Sequence, residues 1–324
     1  MAALYWRMLR HRVAAMVLLF MLLGSAWHGG LRTLDAPVLL AALALASSYV
    51  CATSVNDISD REIDEINHPG DAGRPLVTGT AGTRDLWALF GISGALALVL
   101  SFAAGAAACG VVFLSVAIGV LYSLPPARLA YRTFLAPLTL AVAYVGIPYW
   151  VGVLAVGDGL GIRDLPLLAA LCMLFAGRIV LKDFRDREGD ALYGKPTFLL
   201  RFGKGATCLA SLLAVCAGDV LLIASLADRP WLAALLQVYV ACVALMLHRL
   251  YLADNRKVEQ LSIGVGARMG NGLLATLLGC LVLANQHATW GTQAVFAASL
   301  TALYLLTFAA FLRHPERADI GYKG

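Results

Sequence analysis

Ten runs of about 20 apolar residues recur along the chain, near 13–31, 36–55, 85–104, 107–123, 134–156, 165–181, 206–227, 231–250, 268–285 and 291–312. Twenty apolar residues in a helix cross a bilayer core of about 30 Å. Lipid offers no hydrogen bonds, so a spanning backbone must pair internally, as a helix or as a closed barrel. Barrel strands alternate apolar and polar residues, and these runs are continuous. The chain therefore reads as all-α, a polytopic membrane helical bundle of nine or ten transmembrane helices forming one domain over residues 1–324. Composition agrees, with 60% hydrophobic residues, 14% charged ones and a mean hydropathy of +0.78, against roughly 25% charged in soluble chains.

The basic residues orient the bundle. With the N-terminus in the cytoplasm, the inner loops hold Arg7, Arg10 and Arg12; Arg61, Arg74 and Arg84; Arg128 and Arg132; Lys182 through Lys204; Arg249, Arg256, Lys257 and Arg268; and Arg313, Arg317 and Lys323. The outer loops hold Arg32, Arg163 and Arg229. That asymmetry is the positive-inside pattern. The net charge of +5 suits anionic lipid headgroups and gives no reason to invoke nucleic acid. The N-terminal run lacks a clear small-residue cleavage site and reads as an uncleaved first helix. Seven cysteines lie singly, with no CxxC pair, and read as small buried hydrophobes.

Acids cluster where two of these runs end. "NDISDREID" (56–64) follows the second run and "KDFRDREGD" (182–190) the sixth. Aligned, they match at Asp57 and Asp183, Asp60 and Asp186, Arg61 and Arg187, Glu62 and Glu188, and Asp64 and Asp190. The echo divides the chain into two similar halves with motif loops near 56–80 and 182–204. Residues three or four apart share a helix face, so each cluster predicts a stripe of carboxylates at the cytoplasmic end of a helix. Such stripes repel one another unless a cation intervenes. Mg²⁺ binds through one or two carboxylates, substrate phosphates and water, so two facing strips suit Mg²⁺ ions that hold a diphosphate. Asn56 adds an amide oxygen to the first stripe.

These residues resemble the UbiA superfamily of intramembrane prenyltransferases. "NDISDREID" is similar to its N-D-x-x-D-x-x-x-D motif and "DREGD" to its D-x-x-x-D motif. "GRPLVTG" (73–79), "YSLPPARL" (122–129) and "DALYGKPTFLLRFG" (190–203) look like segments that accompany them. The likeness spans about residues 50 to 205. It implies a helical bundle around a central cavity with cytoplasmic caps, and Mg²⁺-dependent transfer of a prenyl chain from a polyisoprenyl diphosphate to a small acceptor, often aromatic. Carried over by position, Asn56, Asp60, Asp64, Asp186 and Asp190 would hold metal and diphosphate, with Asp57 and Asp183 as less direct candidates. The chain departs from the family at Ala130, where a lysine often follows the "PPARL" stretch.

A diphosphate leaving group needs cations, and Arg74, Arg128, Arg178 and Lys182 are the candidates. An arginine near the end of an apolar run, as Arg178 is, implies a partner or a function. Aromatic faces stabilise an allylic cation, which nominates Tyr122, Tyr144, Tyr149 and Trp150. Gly146 and Pro148 predict a kink that opens space. His68 and Asp71 are weak candidates for acceptor deprotonation, and no general base is assigned. Two other readings remain at this point. A terpene cyclase would ionise the same donor and let the chain attack itself. An ion-coupled transporter would place its acids near the bilayer midplane, whereas these lie at helix ends.

Overall fold

The structure, a computed structural model, describes residues 1–33 and 35–313, so Arg317 and Lys323 lie outside the described residues. The elements in order are α1 (Ala2–Met8), α2 (His11–Trp27), α3 (Ala36–Ser59), α4 (Arg61–Asn67), α5 (Thr83–Ala104), α6 (Ala106–Ser123), α7 (Leu135–Ala141), α8 (Ile147–Ala155), α9 (Leu165–Ile179), α10 (Asp183–Leu192), α11 (Phe198–Ser225), α12 (Pro230–Leu252), α13 (Arg256–Asn285) and α14 (Trp290–Arg313). Among the described residues, nine spans are long and apolar enough to cross a bilayer. The count rises to ten if α1 and α2, bent by 70°, form one span. The chain is a multi-pass integral membrane protein.

Most predicted spans fall within a few residues of these helices, and the differences have a common cause. The ninth run begins at 268 by hydropathy, yet α13 starts at Arg256. Arg256, Lys257, Glu259 and Arg268 dilute the apolar signal over its first half. Arg268 is therefore a helix residue, its guanidinium 4.2 Å from the Phe311 ring centroid, and not a loop charge. Arg201 and Lys204 likewise belong to α11, which is broken at Gly203 with φ at 79°. Cys216 is exposed on α11, against the expectation that the cysteines are buried.

Three helix breaks shape the interior. α3 ends at Asp60 and α4 restarts at once, so the first acid motif is not one continuous helix. A π-turn at Val142–Gly146 joins α7 to α8. Pro148, lacking an N–H, leaves the carbonyl four residues back without its helical donor, and the chain widens there. A 3₁₀ turn at Val180–Lys182 joins α9 to α10. In lipid, broken backbone is tolerated where it lines a protein cavity.

Small residues let the helices close around that interior. α2 packs on α8 through Gly24 and Gly152, where a Cβ at either position would overlap backbone oxygen of the other helix. Ser25 Oγ donates to Gly152 O across the same seam at 2.7 Å. This is how packing is gained in lipid, where the hydrophobic effect between helices is absent. At the motif end, Gly189 admits α10 onto α4: a Cβ there would lie 2.7 Å from Ile63 O. Its N–H donates to Asn67 Oδ1 at 2.7 Å.

The end remote from the acids is held by a polar clasp. His28 Nδ1 meets Asp158 Oδ2 at 2.7 Å, and His28 Nε2 meets Asp164 Oδ1 at 2.8 Å. Tyr149 Oη donates to the same Asp164 oxygen at 2.8 Å. Burial alone would lower the His28 pKa, but the two aspartates outweigh it and raise it; His28 in turn lowers Asp158. A raised histidine stabilises the fold fully below its unfolded value of about 6.5 and loses that contribution as pH climbs through the folded value. A lowered aspartate stabilises above about 3.9 and loses its share as pH falls. The clasp is strongest between those limits. The melting-temperature gap between the parent protein and His28→Gln in detergent should be wider at pH 6 than at pH 9. A gap independent of pH would refute the clasp.

Candidate active site

Both acid motifs border one cavity. Its lining includes Asn56, Asp60, Asp64, Asn67 and His68 from the α3–α4 segment, and Lys182, Arg185, Asp186 and Asp190 from the α9–α10 segment. The seam at Gly189 sets the two motifs face to face. Residues not nominated from the sequence also line it, among them Arg10, Tyr49 and Lys195.

The acids sit in a dense cation network. Asp57, only 2% exposed, accepts from Arg10 Nη2 at 2.7 and 2.8 Å and from Arg74 Nη1 at 3.1 Å. Arg74 also donates to Asp64 Oδ2. Lys195 Nζ lies 3.5 Å from Asp60 Oδ2 and 3.5 Å from Asp190 Oδ1, so it bridges the two motifs. Asn56 Nδ2 donates to Asp60 Oδ2 at 3.1 Å, leaving the amide oxygen of Asn56 available. Burial, reinforced by Asp57 and Asp60, pushes Asp64 up to about 8 against the opposing pull of Arg74. Burial would lower the Lys195 pKa, but Asp60 and Asp190 outweigh it and raise it.

His68, a candidate for acceptor deprotonation, lines the cavity beside the second motif. It is largely buried, with Nε2 3.1 Å from Asp186 Oδ1, although the ring is not aligned to hydrogen-bond. Burial and nearby Arg74 lower its pKa, against the pull of Asp186. Asp71 turns away to accept from Gly73 N at 2.9 Å, as a loop-shaping residue.

The remaining candidates divide by location. Arg74, Tyr122, Arg178 and Lys182 line the cavity. Lys182 Nζ donates to Tyr122 Oη at 3.1 Å and Arg178 Nη1 to Asn271 Oδ1 at 2.7 Å. Asp57, Asp183 and Arg128 do not reach the cavity wall. Asp57 is turned to its arginines, and Asp183 faces a small neighbouring pocket with Thr133 and Lys195. Arg128, in a left-handed turn, stacks its guanidinium 3.9 Å from the Tyr131 centroid.

Deeper in, the wall is apolar and aromatic. Tyr49 and Tyr144 lie 6.0 Å apart by ring centroid, and Tyr144 and Phe175 5.8 Å. The π-turn carries Tyr144 to this wall. Tyr149, also nominated for the cation, is instead fully buried in the remote clasp, and Trp150 packs in the apolar cluster around Met21 and Val151.

The donor set fits Mg²⁺. Among the described residues no three His, Cys, Asp or Glu side chains converge on a single point, but Mg²⁺ takes only one or two carboxylates alongside phosphate and water. Asp190 Oδ1 is buried and accepts no hydrogen bond, its one charged neighbour being Lys195 Nζ at 3.5 Å, so it keeps lone-pair capacity for such an ion. Asn56, Asp60, Asp64, Asp186 and Asp190 are the oxygens that would hold it.

Residues 14–271 match the UbiA prenyltransferase family, and the chain belongs to it. It is 27% identical over 194 residues to the chloroplastic chlorophyll synthase of Oryza sativa, covering 56% of this chain and 50% of that protein. It is 30% identical over 224 residues to the digeranylgeranylglyceryl phosphate synthase of Methanosarcina mazei, covering 64% and 74%. The chain thus spans about half the length of the plant relative. A solved UbiA homologue from Archaeoglobus fulgidus, bound to GPP and Mg²⁺, superposes with a TM-score of 0.69 at 20% identity, covering 88% of this chain and 100% of that one. The all-helical bundle is therefore the fold of this family.

Removing Asp57 would strip Arg10 of its carboxylate in a buried site and leave Arg74 beside it with Asp64 as its remaining partner. Breaking a buried ion pair costs about 3–5 kcal/mol. Asp57→Ala should therefore lower the melting temperature in detergent far more than Asp60→Ala does. Equal melting temperatures would show that Asp57 is not the structural member of the cluster.

Proposed function

We propose that this protein transfers a prenyl group from a polyisoprenyl diphosphate to a small acceptor, with Mg²⁺ as cofactor and release of diphosphate. The observation that carries this reading is the opposed acid motifs, bridged by Lys195, at one end of a cavity whose deeper wall is apolar and aromatic. Family membership supports it.

The allylic C–O bond breaks with its electron pair leaving on the diphosphate. Bound Mg²⁺ would supply Lewis-acid stabilisation of that developing charge. Arg74, Lys182 and Lys195 border the same space, where their N–H groups would donate to phosphate oxygens. Electrostatic stabilisation is greatest where water is excluded, and the deeper apolar walls keep water from the carbocation. The Tyr49, Tyr144 and Phe175 faces would steady its charge. The acceptor's nucleophilic atom then bonds to the allylic carbon and the acceptor loses a proton. An aromatic acceptor has the same ring wall to lie against. The basic residues of the motif loops support a cytoplasmic orientation for this end.

Purified protein incubated with a prenyl diphosphate and an aromatic acceptor panel should release diphosphate only with Mg²⁺ present, and chelation should abolish release reversibly. Asp60→Ala and Asp186→Ala should each lower the rate by at least about a hundredfold, the scale of losing one electrostatic contact to a transition state. Full activity in either variant would sink the two-motif mechanism.

A further inference from the structure

A second, smaller cavity adjoins the central one, and Phe175, Arg178, Leu181, Ile263 and Ala267 line both. It lies between α9, α11, α12 and α13, walled by residues such as Leu174, Val215, Val243, Met246, Leu273 and Leu274. The two hydroxyls on its wall are turned onto backbone: Ser211 Oγ donates to Gly177 O at 2.6 Å and Ser262 Oγ to Val258 O at 2.8 Å. Arg178, at the shared wall, donates to Asn271. The chamber thus presents hydrocarbon, and a polar guest would lose its hydration there without replacement.

The ring series leads into it. Tyr49, Tyr144 and Phe175 line the central cavity, and Phe175 packs edge-on against Phe20, 6.2 Å away by centroid, on the chamber wall. A chain whose allylic end lies at Tyr144 finds its apolar continuation past Phe175.

One glycine holds the space open. At Gly270 on α13 an added Cβ would meet nothing within 4 Å, although the residue lines the chamber. At Gly177 on the same wall a Cβ would lie 2.9 Å from Ser211 O, so that glycine serves helix packing. Gly270 has no such packing duty. A glycine inside a helix destabilises it relative to alanine, and what its missing side chain leaves is room in the chamber.

We infer that this chamber receives the distal isoprene units of the donor chain, and that Gly270 sets how long a chain it admits. The inference rests on the prenyl-diphosphate reading above. It is tested on purified protein with donors of two, three and four isoprene units, comparing the parent with Gly270→Ala and Gly270→Leu. Gly270→Ala should fold at least as stably as the parent. In Gly270→Leu the ratio of kcat/KM for the longest donor to that for the shortest should fall at least about tenfold, the scale on which hydrocarbon pockets discriminate by size. A four-unit donor analogue carrying a diazirine at its far end should label Val243, Met246 or Leu273 on irradiation of the parent. If the parent is active and the ratio stays flat, or the label lands outside the chamber, the chamber assignment falls alone. If the parent releases diphosphate from no donor, the transferase reading falls and takes the chamber with it.

Discussion

The buried carboxylate of Asp57 organises the motif end of the molecule. An ionised acid 2% exposed at a bilayer edge is very costly unless paired and hydrogen-bonded, and two arginines from separate segments meet that requirement. Arg10 comes from the left-handed joint between α1 and α2, and Arg74 from the loop after α4. The 70° bend between α1 and α2 and the path of the 68–82 loop both bring a guanidinium to one carboxylate. Lys195 performs the same service across the two motifs, between Asp60 and Asp190. The cations nearest the acids are thus engaged with them. Under the proposed reaction, Asp60, Asp64 and Asp190 are among the oxygens that would hold Mg²⁺, one or two to an ion, and Arg74 and Lys195 would then be available to phosphate oxygens.

The breaks in the helices belong to the same logic. A straight helix through Asp60 would keep Asn56, Asp60 and Asp64 on one stripe. The break at Asp60 turns α4 across the end of the bundle, where Asn67 meets Gly189 of α10. The 3₁₀ turn before α10 and the π-turn before α8 change the facing of Asp186 and Tyr144 in the same way. Each break costs helical hydrogen bonds that lipid cannot replace, so each lies against the protein interior.

Much of this was legible in the sequence because it is local. Span lengths, the acid echo and the helix irregularity before Pro148, which is a π-turn where the sequence predicts a kink, depend on residues within one or two helical turns. Arg10, Tyr49 and Lys195 were not legible, since their partners lie far along the chain and only packing joins them: Arg10 reaches Asp57 across 47 positions and Lys195 reaches Asp60 across 135. Lys195 had one available signal, its place in the "GKPT" segment after the second motif. Tyr149 and Arg128 show the converse case. Both have suitable chemistry and lie near the right helices, but Asp164 and Tyr131 hold them elsewhere. Residue type nominates a side chain, and helix phase decides which way it faces.

Helix α14 shows how a segment outside the family match bears on the interior. The match ends at residue 271, part-way along α13, and α14 packs on that helix to both sides of this point, through Phe311 on Arg268 and through Tyr304 and Phe296 beyond it. Tyr304 lies against Gly272 and Tyr239, with the two tyrosine rings 5.8 Å apart by centroid, and Phe296 covers Gly279. Tyr239 Oη and Thr276 Oγ1 lie 2.8 Å apart across the α12–α13 seam. Gly266, Gly270, Leu273 and Leu274 of α13 meanwhile line the side chamber. Residues 272, 276 and 279 follow a three-to-four-residue period that marks a second stripe of the helix. α13 is therefore gripped along one stripe and hollow along another. Because lipid supplies no hydrophobic pressure to press helices together, the ring contacts of α14 brace α13 on the stripe that faces away from the chamber, alongside its packing on α12 and α2.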